Sequence, residues 1–315
     1  MICDAHVHFF SPAFFGALAA QRGVATSDAI RHLAWDDPIS PEALADRWAG
    51  EMDAQGVTRA AIIASVPGDE DSVAGAIARH PSRFVGYFML DPTKDDAENR
   101  VVRALERGLR GVCLFPAMQR YSLHDERVGR IAEIVAGFGP ASETGPLAIG
   151  GPAGAARGAV LFVHCGVLSV GARGKLGLPS PFDMSKGNPL DLHTLALRFP
   201  TLPIVIPHFG AGMFREALML ADVCPNVHFD TSSSNAWVKY TPGLTLEQVF
   251  ETALAVVGPE RLLFGTDSSF FPRGWHRAVY ERQRNALANL GVSEAARAAI
   301  FGGNFERVLG GARPA

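Results

Sequence analysis

The chain has 315 residues, of which 48% are hydrophobic and 19% are charged, with a formal net charge of −3. This composition is typical of a globular protein, and the near-neutral balance gives no electrostatic reason to expect nucleic acid or an anionic membrane as a partner. No apolar run approaches the ~18 residues that a membrane span needs. Four cysteines in so long a chain do not make a disulfide framework, so we expect a reducing, cytoplasmic location.

A short apolar run followed by a segment of helical periodicity occurs eight times along the chain. Runs without polar alternation are typical of parallel strands that are buried on both faces. Eight such alternations predict a closed (β/α)8 barrel, or TIM barrel, occupying residues 1–315 as one domain. The strand candidates are residues 1–7, 60–65, 84–90, 110–115, 159–164, 203–207, 226–229 and 261–265.

Helical segments separate these strands. Ser40 and Pro41 are typical of a helix start and Gly56 of a helix end, with apolar residues spaced four apart between them. The other helix candidates are residues 69–80, 95–108, 124–137, 189–199, 213–223, 245–257 and 275–290.

Three insertions interrupt the alternation. Residues 9–39 follow strand 1 and are rich in aromatic and polar residues. Residues 139–158, dense in Gly, Pro and Ala, precede strand 5, so we expect them at the amino-terminal face of the barrel, without a catalytic role. Residues 167–188 follow strand 5 and are candidates for part of a lid on the catalytic face.

Two histidines, His6 and His8, end the first predicted strand. Side chains of a strand alternate, so both project to one side, into the barrel at its carboxyl-terminal rim. Two imidazoles at this separation form a pair of ligands for zinc or a similar metal. Taken alone, such a pair more often has a structural or solvated role.

Three more polar residues stand at strand ends. His164 ends strand 5, His208 follows strand 6, and Asp267 follows strand 8. The carboxyl ends of all strands of a barrel converge on one mouth, whereas its interior favours branched apolar side chains. The coincidence therefore favours a shared site over separate structural roles.

On these motifs, the sequence resembles the amidohydrolase superfamily, and specifically the "amidohydrolase 2" branch that includes aminocarboxymuconate-semialdehyde decarboxylase. The resemblance runs from residue 1 to about residue 309. It implies that His6, His8, His164 and Asp267 bind one divalent metal ion, usually Zn²⁺, with Mn²⁺ or Fe²⁺ as alternatives. It also implies that His208 moves protons or orients the reacting water. The motifs that carry it are the His6/His8 pair, FVHCG around His164, PHFGAG around His208, FGTDSSF around Asp267 and GNFER at 303–307.

One departure from the family pattern lies on strand 4. Related barrels with two metals bridge them through a carbamylated lysine, and many members of this branch have a Gly-x-Lys-x-His-Pro-like segment there. Here the segment contains Cys113 in place of the lysine. A single metal is therefore expected. Cys113 either contacts that metal, as thiolates do with zinc, or lines the pocket wall as a neutral thiol, and we favour the second role.

The predicted ligands support two reactions. A divalent metal lowers the pKa of water from ~16 toward ~7, and Asp267 and His208 are placed to take and return protons. The outcome is hydrolysis of an ester, lactone or amide, or non-oxidative decarboxylation of an unsaturated or aromatic acid. Decarboxylase relatives more often carry an aromatic residue and a proline soon after the strand-8 acid. Here Ser268 and Ser269 follow it, which favours hydrolysis. An inactive ligand-binding barrel is the third interpretation.

Residues for binding a small-molecule substrate are sought on the catalytic-face loops. An arginine is the best partner for a substrate carboxylate, and Arg273 is our first candidate. Trp237 and Phe270 are the aromatic candidates for an apolar or aromatic substrate body. Homo-oligomerisation, as a dimer for example, is expected only by analogy with relatives. The alternative cations on these loops are Arg120, Arg173, Lys175 and Lys239.

Overall fold

Eight parallel strands form one sheet in the order of the sequence. The structure is a computed structural model, and it describes residues 1–138 and 158–310. The sheet closes because Ala5 N–H donates to the Phe264 carbonyl at 2.8 Å and His8 N–H donates to the Ser268 carbonyl at 2.7 Å. The predicted TIM barrel is thus confirmed. The strands are β1 Cys3–Phe9, β2 Arg59–Ala64, β3 Phe84–Leu90, β4 Gly111–Leu114, β5 Val160–Val163, β6 Ile204–Ile206, β7 Val227–Asp230 and β8 Leu262–Leu263.

Helices connect the strands and surround the barrel. The predicted helix 189–199 is divided into a 3₁₀ turn, Pro189–Leu192, and a short α-helix. The predicted insertion 139–158 lies, apart from its last residue, outside the described residues. The α-helices are α1 Pro12–Arg22, α2 Thr26–Leu33, α3 Pro41–Gln55, α4 Glu70–Arg79, α5 Ala97–Glu106, α6 Pro116–Gln119, α7 Glu126–Gly137, α8 Gly171–Lys175, α9 His193–Arg198, α10 Phe214–Val223, α11 Leu246–Val257, α12 Arg277–Asn289, α13 Glu294–Ala298 and α14 Asn304–Leu309.

The insertion after β1 is largely helical, which its mixed composition did not predict. Ser11 caps α1 by accepting a hydrogen bond from Phe14 N–H, and Pro12 occupies the first turn. Such a serine–proline pair favours a helix start. Helices α1 and α2 pack with α8, from the insertion after β5, into a separate apolar cluster beside the barrel mouth. The two insertions therefore support each other.

The apolar core has two layers. The outer cluster lies between the sheet and the helices, and the inner cluster fills the barrel. Alternate residues along each strand belong to the two layers, as the buried parallel sheet requires. The inner cluster includes Cys3, Ala5, Ala61, Ile63, Val85, Tyr87, Met89, Cys113, Phe115, Val160, Phe162, Val205 and Leu263.

Strand β1 contains a bulge after Asp4, where three steps along β1 match two steps along β2. An extra residue at a bulge changes the side to which the following residues point. Ala5 belongs to the inner cluster, whereas Val7 belongs to the outer one. His6 and His8, on either side of Val7, line the cavity at the mouth of the barrel. The bulge thus lets both histidines face the inside of the barrel, while Asp4 faces the carboxyl end of β8.

Among the described residues, no helix is both long and apolar enough to cross a membrane. The cytoplasmic location stays a prediction.

His228 on β7 pairs in register with Val205 of the inner cluster, and burial lowers its pKa to about 3. The native protein keeps this ring neutral, whereas the unfolded chain protonates it below about pH 6.5. A lowered histidine pKa contributes stability that is complete above pH 6.5 and is lost as the pH falls from 6.5 toward 3.

We therefore expect the unfolding free energy of the wild type to fall, between pH 7 and pH 5, by about 2 kcal/mol more than that of His228→Leu. Denaturant titrations of both proteins at the two pH values measure the difference. Equal losses in the two proteins would show that His228 is not the buried neutral base.

Candidate metal centre

Three side chains converge at the carboxyl end of the barrel. His6 and His8 come from β1, and Asp267 follows β8. The Asp267 Oδ1 atom lies 3.2 Å from His8 Nε2 and 3.7 Å from His6 Nε2, and the two Nε2 atoms are 3.4 Å apart. One potential ligand atom from each residue lies within 4.8 Å of the other two. Two imidazole nitrogens and a carboxylate oxygen are a donor set suited to a divalent transition metal.

The hydrogen bonds on the far side of each histidine fix its tautomer. Ser65 Oγ donates to the Ile63 carbonyl at 2.9 Å, so it accepts from His8 Nδ1–H at 2.7 Å. His6 Nδ1–H donates to Asp230 Oδ2 at 2.6 Å. In their neutral forms, both rings therefore carry the proton on Nδ1 and turn an Nε2 lone pair toward the converging group. Metal-binding histidines are held in this way.

His164 and His208 complete a group of four histidines. The His208 ring stacks on His6 with centroids 5.1 Å apart, and the His164 ring lies 5.2 Å from that of His208. Both line the same cavity as the three converging side chains. His164 lies outside the 4.8 Å group, although its buried Nδ1 has no hydrogen-bond partner among the described residues. An orphaned imidazole nitrogen here fits the predicted role of fourth ligand.

Two of these residues occupy left-handed backbone conformations. His208 has φ 57° and Asp267 has φ 60°, a region that few non-glycine residues adopt. The turn after His208 packs against Gly166, where a Cβ atom would lie 2.1 Å from the Gly210 carbonyl oxygen. The glycines of the two motifs therefore let the β5 and β6 loops meet, which brings His164 and His208 together.

Burial and charge act in opposite directions on these groups. Burial lowers the pKa of His8 and His208, and lowers that of His164 further. Burial also opposes the charged form of His6, but the Asp230 carboxylate outweighs it and raises the His6 pKa. Burial would raise the pKa of Asp267, yet its close contacts with His8 and the other histidines of the site hold it below its usual value. At pH 7 the site thus combines an ionised Asp267 with neutral rings at His8, His164 and His208. His6 is the histidine of the group that is most readily protonated.

A cavity of about 430 Å³ opens above this group. Among the described residues that line it, Asp267 is the only carboxylate, whereas three cations reach it. The remaining wall is mostly apolar, so the cavity suits a substrate with an apolar body and a negative charge. The cations are Arg173, Lys175 and Arg273, and the larger apolar lining residues are Phe10, Phe14, Leu18, Trp35, Val66, Met89, Phe115, Met118, Leu168, Val170 and Phe270.

Parallel aromatic rings form one side of the cavity. Trp35 stacks on Phe270 with centroids 4.1 Å apart, and Phe10 stacks on Phe14 at 3.8 Å. The Arg273 guanidinium lies 4.5 Å from the Phe270 centroid and is held by the Ser269 hydroxyl at 2.9 Å. These contacts hold Arg273, a predicted substrate-binding residue, beside the metal-site carboxylate.

Two sequence predictions need correction. Trp237 does not line the cavity, because its indole packs against Phe214 and its Nε1–H donates to Asn235 Oδ1 at 3.0 Å. Cys113 is not among the described residues that line the cavity. It also does not belong to the group of possible ligands whose atoms lie within 4.8 Å of one another. It lies fully buried inside the barrel, where burial raises the pKa of its thiol well above the usual value.

The other cations proposed from sequence differ in position. Arg120 donates to the Pro181 carbonyl, and neither it nor Lys239 lines the cavity. Arg173 lines the cavity, but its guanidinium is engaged by Gln21 and the Pro179 carbonyl. Lys175 lies at the aromatic wall, 5.5 Å from the Trp35 ring. Arg273 and Lys175 are therefore the cations best placed to meet a ligand.

The sequence analysis missed three polar residues that support the site: Ser65, Asp230 and Ser232. Ser65 follows β2 and Asp230 ends β7. Both are polar residues at the carboxyl end of a strand, as His164 and Asp267 are. The same argument could therefore have identified Ser65 and Asp230 from the sequence. Ser232 has no such signal, because it lies in the loop beyond Asp230.

The fold and these residues together define a TIM barrel with a candidate divalent-metal centre at its catalytic end. The family model described as Amidohydrolase, Amidohydro_2, matches residues 3–311. The chain belongs to this family and is an enzyme of the amidohydrolase superfamily, as the motifs predicted.

Solved structures with the same fold cover nearly the whole chain. An amidohydrolase of Burkholderia multivorans with bound zinc is 18% identical, with a TM-score of 0.62, and the match covers 99% of this chain and 100% of that one. A probable 2-pyrone-4,6-dicarboxylic acid hydrolase of Acinetobacter baumannii with bound citric acid is 14% identical, with a TM-score of 0.59 and coverage of 98% and 99%. A manganese-bound 5-carboxyvanillate decarboxylase of Novosphingobium aromaticivorans is 16% identical, with a TM-score of 0.64 and coverage of 98% and 97%.

Among curated proteins, Protein fluG of Emericella nidulans is 33% identical over 90 residues. The match spans 29% of this chain and only 10% of that protein's length.

Proposed function

We propose that the protein is a mononuclear metal-dependent hydrolase that cleaves an ester, lactone or amide in a small substrate with a carboxylate and an apolar or aromatic body. The observation that carries the proposal is the cavity itself, in which the His6, His8 and Asp267 group lies beside Arg273 and an aromatic wall. The zinc-bound and manganese-bound neighbours support a transition metal, with Zn²⁺ as our first choice.

His6, His8 and Asp267 would hold the metal, with His164 as the candidate fourth ligand. When bound, such a metal polarises a carbonyl group and lowers the pKa of water. The single ion follows from Cys113, because a protonated thiol buried inside the barrel offers no bridging ligand for a second metal. Asp267, whose pKa is low, serves as a charged ligand and as a proton acceptor of modest strength.

His208 is the candidate general base. Its Nδ1 lies 3.2 Å from the Ser232 carbonyl oxygen, which only accepts hydrogen bonds, so Nδ1 carries the proton. Because burial lowers its pKa, the ring is neutral at pH 7 and its Nε2 has a free lone pair. A neutral base at the edge of the cavity is suited to take a proton from water, as hydrolysis requires, and then to return it to the leaving group.

Decarboxylation is the second candidate function. The apolar side chains of Met89, Phe115 and Leu168 line the cavity beside the histidines. An apolar wall disfavours a charged carboxylate and favours its loss as carbon dioxide. The similarity to a 5-carboxyvanillate decarboxylase supports this alternative.

Product analysis separates the two reactions. Metal-loaded enzyme is incubated in H₂¹⁸O with panels of lactones, esters, amides and unsaturated or aromatic acids. Hydrolysis releases acid and incorporates ¹⁸O into the product. Carbon dioxide release without ¹⁸O incorporation into the organic product would overturn the hydrolase proposal in favour of decarboxylation.

Replacing Arg273 by glutamine should raise KM for an acidic substrate about 10- to 100-fold, because a charge-assisted hydrogen bond contributes about 1.5–3 kcal/mol. The KM for the matching neutral methyl ester should change little. Steady-state kinetics on the acid and ester pair measure the effect, with Arg277→Gln as control, since Arg277 pairs with Glu281 on the surface of α12. Equal losses on both substrates would assign Arg273 a structural role.

A further inference from the structure

One buried carboxylate connects two histidines of the site. Asp230 and Ser232 have no exposed surface. Asp230 Oδ2 lies 2.6 Å from His6 Nδ1 and 3.0 Å from Ser232 Oγ, while Ser232 Oγ lies 2.9 Å from His208 Nδ1. A single chain of hydrogen bonds therefore joins His6, on β1, to His208, after β6.

The chain has one consistent direction. A carboxylate only accepts, so His6 Nδ1–H and Ser232 Oγ–H both donate to Asp230. The Ser232 hydroxyl, having given its one proton, accepts from His208 Nδ1–H, and its Oγ also lies 3.0 Å from His6 Nδ1 as a second acceptor for that N–H. Asp230 Oδ1 also accepts from Ser232 N–H at 2.7 Å. When neutral, both rings then have a free Nε2 lone pair.

Neighbouring residues leave room for the Asp230 and Ser232 side chains and hold the backbone between them. A Cβ atom on Gly265 would lie 2.5 Å from Asp230 Oδ1 and 2.9 Å from Ser232 Cβ. From α12, the buried Gln283 amide donates to the Thr231 carbonyl at 2.7 Å and holds the segment between the two residues. An enclosed carboxylate costs free energy through lost hydration, which the hydrogen bonds from His6 and from the Ser232 hydroxyl and N–H offset.

We infer that Asp230 and Ser232 are positioning residues that set the tautomers of His6 and His208 together, so that one carboxylate prepares both a metal ligand and the proton acceptor. The inference rests on the proposed metal site at His6 and His8. It predicts that the two rings, once neutral, are Nδ1–H tautomers even before a metal is bound.

Asp230→Asn tests this directly. Ser232 N–H can only donate, so the asparagine oxygen must face it, and the amide NH₂ then faces His6 Nδ1. His6 can accept that hydrogen bond only as the Nε2–H tautomer, which removes the lone pair required by a metal. The tautomers are measured by ¹⁵N–¹H correlation spectra of the histidine side chains in chelator-treated protein at alkaline pH, where both rings are neutral, and affinity is measured by titration with Zn²⁺.

In the wild type, we expect Nδ1–H signals from His6 and His208. In Asp230→Asn, we expect an Nε2–H signal from His6 and a Zn²⁺ affinity lower by about 10- to 100-fold. Asp222→Asn, at an exposed position of α10, is the matched control and should leave both readouts unchanged.

Two outcomes would overturn the inference. The first is an Nε2–H signal from either neutral ring in metal-free wild type, a measurement that does not require any variant to fold. The second is an Asp230→Asn protein with an unchanged His6 tautomer and wild-type Zn²⁺ affinity; lower stability in that protein would then indicate a purely structural role. Failure of the wild type to bind Zn²⁺, with the tautomers as expected, would instead contradict the proposed function.

Discussion

The His6→Ala, His8→Ala double variant is expected to purify without stoichiometric metal and to lose at least ~10³-fold in kcat/KM. The two rings supply two of the three ligand atoms that lie within 4.8 Å of one another. A metal that polarises the reacting group contributes several kcal/mol to the stability of the transition state, and about 4 kcal/mol corresponds to a factor of ~10³. Elemental analysis gives the metal content, and kinetics on the substrate found in the panel give the rate.

The fold should survive this change. The two apolar clusters remain, so circular dichroism should show a folded barrel, while thermal unfolding should occur at a lower temperature than in the metal-free wild type because His6 packs against Phe162 and donates to the buried Asp230. His193→Ala is the control, because His193 is exposed on α9. Metal content that is unaffected in the double variant would refute the metal centre at β1.

The barrel and the placement of its polar strand ends could be predicted from sequence because both depend on simple periodicities. Eight apolar runs separated by helices admit few other folds, and strand ends of a barrel meet at one mouth. His6, His8, His208 and Asp267 therefore lie together as predicted. Asp230 is also a polar residue at the end of a strand, so the same argument could have identified it.

The substrate side of the site could not be predicted, because it depends on how loops fold. Trp237 and Trp35 both lie in irregular segments, yet Trp35 lines the cavity and Trp237 packs away from it. The direction of each depends on tertiary contacts that periodicity does not encode. For Cys113, the alternation of side chains along β4 predicts a position inside the barrel. It does not predict how far the thiol lies below the cavity.

The second large effect is expected at Asp4, which the bulge in β1 directs toward the end of β8. Its Oδ1 accepts from the N–H groups of His6 and Thr266, each at 3.0 Å. Its Oδ2 accepts from Thr266 Oγ1 at 2.5 Å and from Trp275 Nε1 at 2.7 Å. Asp4→Ala leaves these buried donors without an acceptor, so we expect the unfolding free energy to fall by about 3–5 kcal/mol.

Asp4→Asn distinguishes the two backbone donors from the two side-chain donors. The asparagine oxygen must face the two backbone N–H groups, so its NH₂ meets Thr266 Oγ1, which can turn to accept, and Trp275 Nε1–H, which cannot. One unsatisfied donor should cost about 1–3 kcal/mol. Because that cost requires the indole N–H, Trp275→Phe should destabilise Asp4→Asn less than it destabilises the wild type. Denaturant unfolding of the four proteins in this double-mutant cycle measures the coupling, and strictly additive losses would mean that the Asp4–Trp275 hydrogen bond does not hold β1 against the end of β8.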